Sequence, residues 1–283
     1  MTLTLSNRIM LEVAARVLPC CLKPRKNSPA GRVLEEALPQ DLFILLVRLD
    51  NQSFHYIARI PMTADFDAAE FASNPEPRCP CVLLLDTSGS MDGERITALN
   101  AGLVTFRDEL DKDELAVLRV EVAVVSFGDR AQVVQDFVTA DQFVPPTLIA
   151  SGQTPMGEGI ELALNLIEQR KRDYKTNGVA YYRPWVFLIT DGAPTDGNQW
   201  QQAAERVHAM ETSKKVAFFA VGVSGANMGI LARIASPSRQ PVTLDGLRFQ
   251  EMFQWLSSSM SSVSRAQIDA DVPLQAPIGW GKV

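Results

Sequence analysis

From residue 75 to residue 263, short apolar runs of strand length alternate with stretches whose apolar residues recur every three or four positions. That alternation confines the chain to a mostly parallel sheet covered by helices on both faces. Strands are expected over 81–86, 120–127, 131–137, 185–190, 216–223 and 242–244. The pair Gly128-Asp129 is a hairpin signal, so the third of these runs antiparallel to the second. Helices are expected over 94–110, 157–172, 199–211, 228–235 and 248–263. The first carries Ile96, Leu99, Leu103, Phe106 and Leu110 on one stripe, and the last carries Phe249, Met252, Phe253, Leu256 and Met260. The fold class is therefore α/β: a doubly wound sheet with one antiparallel edge strand and helices on both faces.

Composition narrows the function. With 46% hydrophobic and 21% charged residues the chain is not a disordered one. A formal charge of 27 minus 33, or −6, leaves no broad basic surface for phosphate contacts, so no nucleic-acid partner is expected. No apolar run reaches the ~18 residues that suggest a membrane span, so the expectation is a cytoplasmic protein without a membrane partner. Two histidines, His55 and His208, are too few for a His-rich zinc site. The four cysteines fall as Cys20-Cys21 and Cys79-Pro-Cys81, without the C-x2-C spacing of zinc sites, and read as structural thiols. Trp185, Trp200 and Trp255 lie in core-facing patterns, while Trp280, behind Pro277 and Gly279, reads either as a docking anchor or as the cover of a groove.

Charge also marks organisation. Residues 1–61 hold eight Lys/Arg and five Asp/Glu, a net of +3, so residues 62–283 carry −9. The chain is read as an N-terminal extension over 1–73, an α/β domain over 74–264 and a Pro-containing tail over 265–283. Within the extension a helix is expected near 6–18 and a strand over 42–49, joined by a Pro/basic linker. The extension is either a small appended module or sequence upstream of a start at Met62.

In an open parallel sheet, ligands bind beyond the carboxyl ends of the strands, where strand order reverses. The first strand ends in Asp86-Thr-Ser-Gly-Ser-Met91 and the fourth in Asp191-Gly192, while the loop 151–157, Ser-Gly-Gln-Thr-Pro-Met-Gly, feeds directly into a helix. Asp86, Ser88, Ser90, Thr154 and Asp191 make an all-oxygen set, wrong for zinc or copper and right for a hard cation such as Mg²⁺ or Mn²⁺. Residues 86, 88 and 90 can turn alternate side chains toward one centre, with Gly89 allowing the backbone to wrap it. Neutral hydroxyls around the cation leave a coordination position for an outside oxygen, most naturally a partner protein's carboxylate. Taken singly, each piece has a plainer reading: Asp86 or Ser88 as a helix cap, Thr154 as an N-cap before Pro155, Asp191-Gly192 and Asp196-Gly197 as turns.

Together these residues resemble the von Willebrand factor A (vWA) domain and its metal-ion-dependent adhesion site (MIDAS), whose D-x-S-x-S, Thr and Asp parts fall at Asp86/Ser88/Ser90, Thr154 and Asp191. The resemblance covers about residues 80–263. It implies that the hydroxyls touch the metal directly, that Asp86 and Asp191 act largely through water, and that partner binding shifts the final helix. The segments 74–80, 86–91, 181–185, 190–196 and 255–259 are more narrowly similar to bacterial vWA proteins of the TerY type. That likeness implies an adaptor of tellurite and other stress-resistance systems, accompanying a Ser/Thr kinase and a PP2C-type phosphatase.

A non-enzymatic, metal-dependent protein-binding role follows from this reading. Two alternatives stand beside it: a metal-dependent phosphatase or other hydrolase, and a vWA subunit of an ATPase complex. Neither histidine lies near the motifs in sequence, and no G-x4-G-K-[ST] loop occurs, so acid/base machinery and a phosphate cradle are both missing from the pattern.

Overall fold

All eight side chains of the first long strand, β1 (Cys79–Asp86), are buried. A strand apolar on both faces belongs at the centre of a covered sheet, and β1 is the middle of it. The computed structural model describes residues 71 and 73–282, apart from 269 and 271; beyond these it describes only the antiparallel pairing of Leu42–Phe43 with Ile60–Pro61. The expected helix at 6–18, the linker, most of the strand at 42–49, Cys20, Cys21 and His55 lie outside the described residues. The chain divides into two compact units, residues 1–62 and 63–283.

In the second unit, β1 leads through α1 (Glu94–Leu110) and α2 (Glu114–Arg119) to β2 (Val120–Phe127), which turns into β3 (Ala131–Thr139). Then come α3 (Met156–Asn177), β4 (Trp185–Thr190), α4 (Gln199–Thr212), β5 (Ala217–Gly222), α5 (Met228–Ile234), β6 (Val242–Leu244), α6 (Phe249–Arg265) and β7 (Gly281–Lys282). The seven strands lie in the order β3-β2-β1-β4-β5-β6-β7. Five are parallel, and β3 and β7 run antiparallel at the two edges. Side chains alternate between two cores. Cys81, Leu83 and Leu85 pack with α1 and α6, while Val82 and Leu84 pack with α3, α4 and α5.

The six expected strands and five expected helices are present, with ends moved by up to five residues. Two elements were not expected. Helix α2 is only six residues long, below the reach of a periodic pattern, and is set by Asp113, whose carboxylate accepts from the N–H groups of Leu115 and Ala116. Strand β7 pairs Thr243 with Lys282 and Leu244 with Gly281, so the tail closes the far edge of the sheet and adds a second antiparallel edge. Trp280, just before it, is 2% exposed and packs on Trp255 at 5.2 Å between ring centroids. It covers a groove of its own domain. No helix among the described residues is long and apolar enough to cross a membrane.

At the amino ends of the strands lies a buried charge. Glu121, fully buried, accepts from Arg78 Nε (2.9 Å) and from Arg170 Nε (2.8 Å) and Nη2 (3.0 Å), and from the hydroxyl of Tyr174. Arg78 also donates to the carbonyls of Asn74 and Glu76, fastening the chain that enters β1. Nearby, Arg119 Nη1 (2.5 Å) and the Tyr182 hydroxyl (2.8 Å) both donate to the Ser264 carbonyl, pinning the last turn of α6. Burial and the adjacent Glu121 carboxylate hold the Tyr174 phenol well above its ordinary pKa, so it donates its proton throughout the physiological range. Cys79 and Cys81 are free, buried thiols, and burial pushes Cys81 up to about 12.

Two stability predictions follow from these contacts. Glu121→Gln removes the buried carboxylate that both the Arg78 and Arg170 guanidinium groups meet and is expected to cost about 3–5 kcal/mol in denaturant unfolding. Trp280→Ala should cost about 3 kcal/mol. Trp280→Phe should cost far less, because the Trp280 indole N–H is buried without an acceptor and the phenyl ring removes that donor.

Candidate functional site

Strand order reverses between β1 and β4: the chain builds β2 and β3 on one side of β1, and β5 and β6 on the other side of β4. The carboxyl ends of these two neighbours define the switch point. Leu85 pairs with Ile189, so Asp86 comes opposite Thr190, and the Thr190 hydroxyl donates to Asp86 Oδ2 at 2.5 Å. The Ser88 N–H donates to Asp86 Oδ1 at 2.8 Å, which turns the chain sharply after β1. Residues 89–91 form a single 3-10 turn.

That turn presents Ser88 and Ser90 side by side, their Oγ atoms 3.0 Å apart. Ser90 Oγ then donates to Asp191 Oδ1 at 2.6 Å. The loop 151–155 approaches from β3. The Gly89 N–H donates to the Gly152 carbonyl (3.0 Å), the Ser151 N–H donates to the Thr87 carbonyl (2.7 Å), and Gly152 adopts φ +76° against the backbone of Asp129. A Cβ built on Gly152 would lie 2.6 Å from the Asp129 nitrogen, so only glycine fits.

Thr154 is buried, 5% exposed, and its side chain lies beside Gly192. A Cβ on Gly192 would be 3.3 Å from Thr154 Oγ1 and 3.9 Å from Asp86 Oδ2, which puts the hydroxyl and the carboxylate on the same small space. The five residues singled out in the sequence, Asp86, Ser88, Ser90, Thr154 and Asp191, thus converge from three loops. Among the described residues, Thr154 Oγ1 makes no hydrogen bond, and no group of three or more His, Cys, Asp or Glu side chains is placed to hold a metal. A cation here would rest on hydroxyls, with two carboxylates nearby for charge. The donor set and the uncommitted hydroxyl fit a hard divalent ion.

Four supporting residues were not singled out in the sequence. Thr190 holds Asp86, as above. Thr195 brackets Thr154, its Oγ1 accepting from the Thr154 N–H (3.0 Å) and its own N–H donating to the Thr154 carbonyl (2.9 Å). Asp196-Gly197 forms the expected turn, with Gly197 at φ +63°, and its carboxylate does more: Pro155 rather than Thr154 occupies the cap position of α3, and Asp196 Oδ2 accepts from the N–H groups of Gly157 (2.6 Å) and Glu158 (3.1 Å). This carboxylate from another loop releases the Thr154 side chain from capping. Arg95, in the first turn of α1, donates from Nη1 to Asp191 Oδ2 (2.6 Å) and to the Ser90 carbonyl (2.7 Å). Only tertiary contact joins these residues, and no local motif announces it.

Burial pushes the Asp86 carboxyl above its ordinary range, and the neighbouring Asp191 adds to the shift, against the hydrogen bonds from Thr190 and Ser88. The ionised form is therefore the costly one in the folded protein.

The sequence profile of the von Willebrand factor type A domain matches residues 81–253. The chain belongs to that family. A curated relative, the uncharacterized protein sll0103 of Synechocystis sp., is 23% identical over 193 residues, 62% of this chain and 41% of the relative, so the chain spans under half of that protein. Among solved structures, the vWF domain of the type V pili tip protein Mfa5 from Porphyromonas gingivalis superposes with a TM-score of 0.52 at 12% identity, covering 68% of this chain and 98% of the other. The pilus adhesin SpaC from Lactobacillus rhamnosus GG gives a TM-score of 0.53 at 15% identity, covering 67% of this chain and 32% of SpaC. These likenesses bear on the fold.

A carboxyl whose pKa is raised by folding lends stability at low pH and loses it as pH climbs through the folded pKa, above the ordinary Asp value near ~4. Without divalent cations, Asp86→Asn is accordingly expected to melt higher than wild type at pH 7.5, by about 2–4 °C per kcal/mol relieved. The difference should shrink as pH falls toward 4, which calorimetry across that range checks.

Proposed function

We propose that this chain is a non-enzymatic adaptor that binds a protein partner through a divalent cation, Mg²⁺ or alternatively Mn²⁺, in a MIDAS-type site. Ser88, Ser90 and Thr154 would hold the ion, and Asp86 and Asp191 would balance its charge. The observation that carries this reading is the convergence of three hydroxyls and two carboxylates at the switch point, with Thr154 Oγ1 and Asp86 Oδ2 both facing the small space beside Gly192. When bound, the cation supplies a Lewis-acid position for one oxygen from outside.

The chain's own groups do the rest. Three neutral hydroxyls leave the ion electron-poor, so the best outside ligand is an Asp or Glu carboxylate of the partner. Asp86 is held from both sides by Thr190 and the Ser88 N–H, and Asp191 by Ser90 and Arg95, so neither carboxylate has to reorient to receive charge. Binding rather than turnover is supported by His208, whose Nε2 lies 3.0 Å from the Ala235 carbonyl and is engaged there. The narrower likeness at 74–80, 181–185 and 190–196 supports a place among bacterial TerY-type proteins. The partners would then include a Ser/Thr kinase and a PP2C-type phosphatase of a cytoplasmic tellurite or stress-resistance system.

Millimolar Mg²⁺ or Mn²⁺ is expected to raise the melting temperature of the wild type, by the equivalent of about 2.7 kcal/mol at one hundred times the dissociation constant. Thr154→Ala should lose that shift. In pull-downs with a tag, a partner held by wild type in Mg²⁺ should be released by EDTA and missed by Thr154→Ala. A wild type indifferent to both ions in melting and in capture would overturn the reading.

A further inference from the structure

A guanidinium in the first turn of a helix opposes the helix dipole, which favours anions there. Arg95 nonetheless occupies that turn of α1, as the second residue after the cap Gly93, which has φ +78°. Its side chain is one-third exposed, while the Asp191 side chain it meets is fully buried. Nη1 bridges Asp191 Oδ2 at 2.6 Å and the Ser90 carbonyl at 2.7 Å. A Cβ on Gly225 would lie 3.9 Å from Nη2 and 3.3 Å from the Asp191 carbonyl, so the guanidinium sits where three loops meet.

Charge decides what it does there. Asp86 and Asp191 bring two negative charges to the switch point, and Arg95 is the positive group bonded to either of them among the described residues. We propose that Arg95 is a tethered counter-cation of the candidate metal centre, competing with the divalent ion for Asp191 and so setting the ion's affinity. The proposal rests on the metal-binding reading above. It makes Arg95 a positioning residue, acting on the ion through Asp191. With a divalent ion bound, Arg95 and the ion together outweigh the two carboxylates by a single positive charge. That residual charge favours an acidic ligand from outside over a neutral one.

The plainer role for Arg95 is to hold the Ser90 and Asp191 loops together. The two roles differ in sign. If Arg95 only braces the loops, removing it loosens the site and weakens metal binding; if it competes for Asp191, removing its charge strengthens binding. The probe is Mn²⁺ alone, titrated into the full chain and followed by calorimetry and by the loss of the free-ion paramagnetic resonance signal.

Arg95→Gln is expected to bind Mn²⁺ about tenfold more tightly than wild type, within the usual range of coupling between sites. Arg95→Lys, which keeps the charge, should stay within about twofold, as should wild type itself when remeasured beside it. Arg95→Met, retaining the apolar stem, serves as a second neutral variant where Arg95→Gln folds poorly and should show the same gain. Raising NaCl should weaken Mn²⁺ binding more steeply in the neutral variants than in wild type, because they hold the ion with one more uncompensated negative charge. Unchanged or weaker binding in both neutral variants, with wild type binding, would overturn the role of Arg95. Absence of Mn²⁺ binding in every form, variants included, would overturn the metal reading and this inference with it.

Discussion

The buried carboxylate of Glu121 is the constraint on which the lower half of the domain depends. A charge with no exposure costs several kcal/mol to bury and is tolerated only when opposite charge and hydrogen bonds surround it. Here Arg78 comes from the chain entering β1, and Arg170 and Tyr174 from the last turns of α3. One carboxylate at the start of β2 therefore ties the entry to β1 to the last turns of α3. Arg119 and Tyr182 extend the same fastening to the end of α6.

The two ends of the sheet differ in charge. At the amino ends the Glu121 carboxylate meets two guanidinium groups, Arg78 and Arg170; at the carboxyl ends, among the described residues, Arg95 is the guanidinium bonded to the pair Asp86 and Asp191. The first arrangement is closed, with every partner buried or nearly so. The second is open: among the described residues, two carboxylates share one guanidinium, and the buried Thr154 side chain lies beside them where three loops meet.

The C-terminal strap bears on how such a domain responds to a partner. Helix α6 is held at its last turn by Arg119 and Tyr182, and Arg265 reaches Asp113 at 2.6 Å. The tail then passes back to lay Trp280 on Trp255 and to pair with β6, with Lys282 donating to Asp245 at 2.7 Å. A shift of the final helix, which the family likeness implies, would have to break these contacts, two of them to the Ser264 carbonyl.

Much of this was readable from the amino-acid order, and for a physical reason. β1, β2 and β4 are apolar on both faces, and α1 and α6 bury one stripe each, so local periodicity alone places them and orients their ends toward one edge. Asp86, Ser88 and Ser90 are neighbours in sequence, and Thr154 and Asp191 each end or begin an element, so their types and places were legible too. Contacts across the fold were not. Thr190 faces Asp86 through sheet register, Asp196 takes over the cap that frees Thr154, Arg95 reaches Asp191 across 96 residues, and Gly281–Lys282 becomes a strand only because β6 offers an edge. Each of these depends on which loops and edges meet, and that is decided by the packing of the whole sheet rather than by any pattern along the chain.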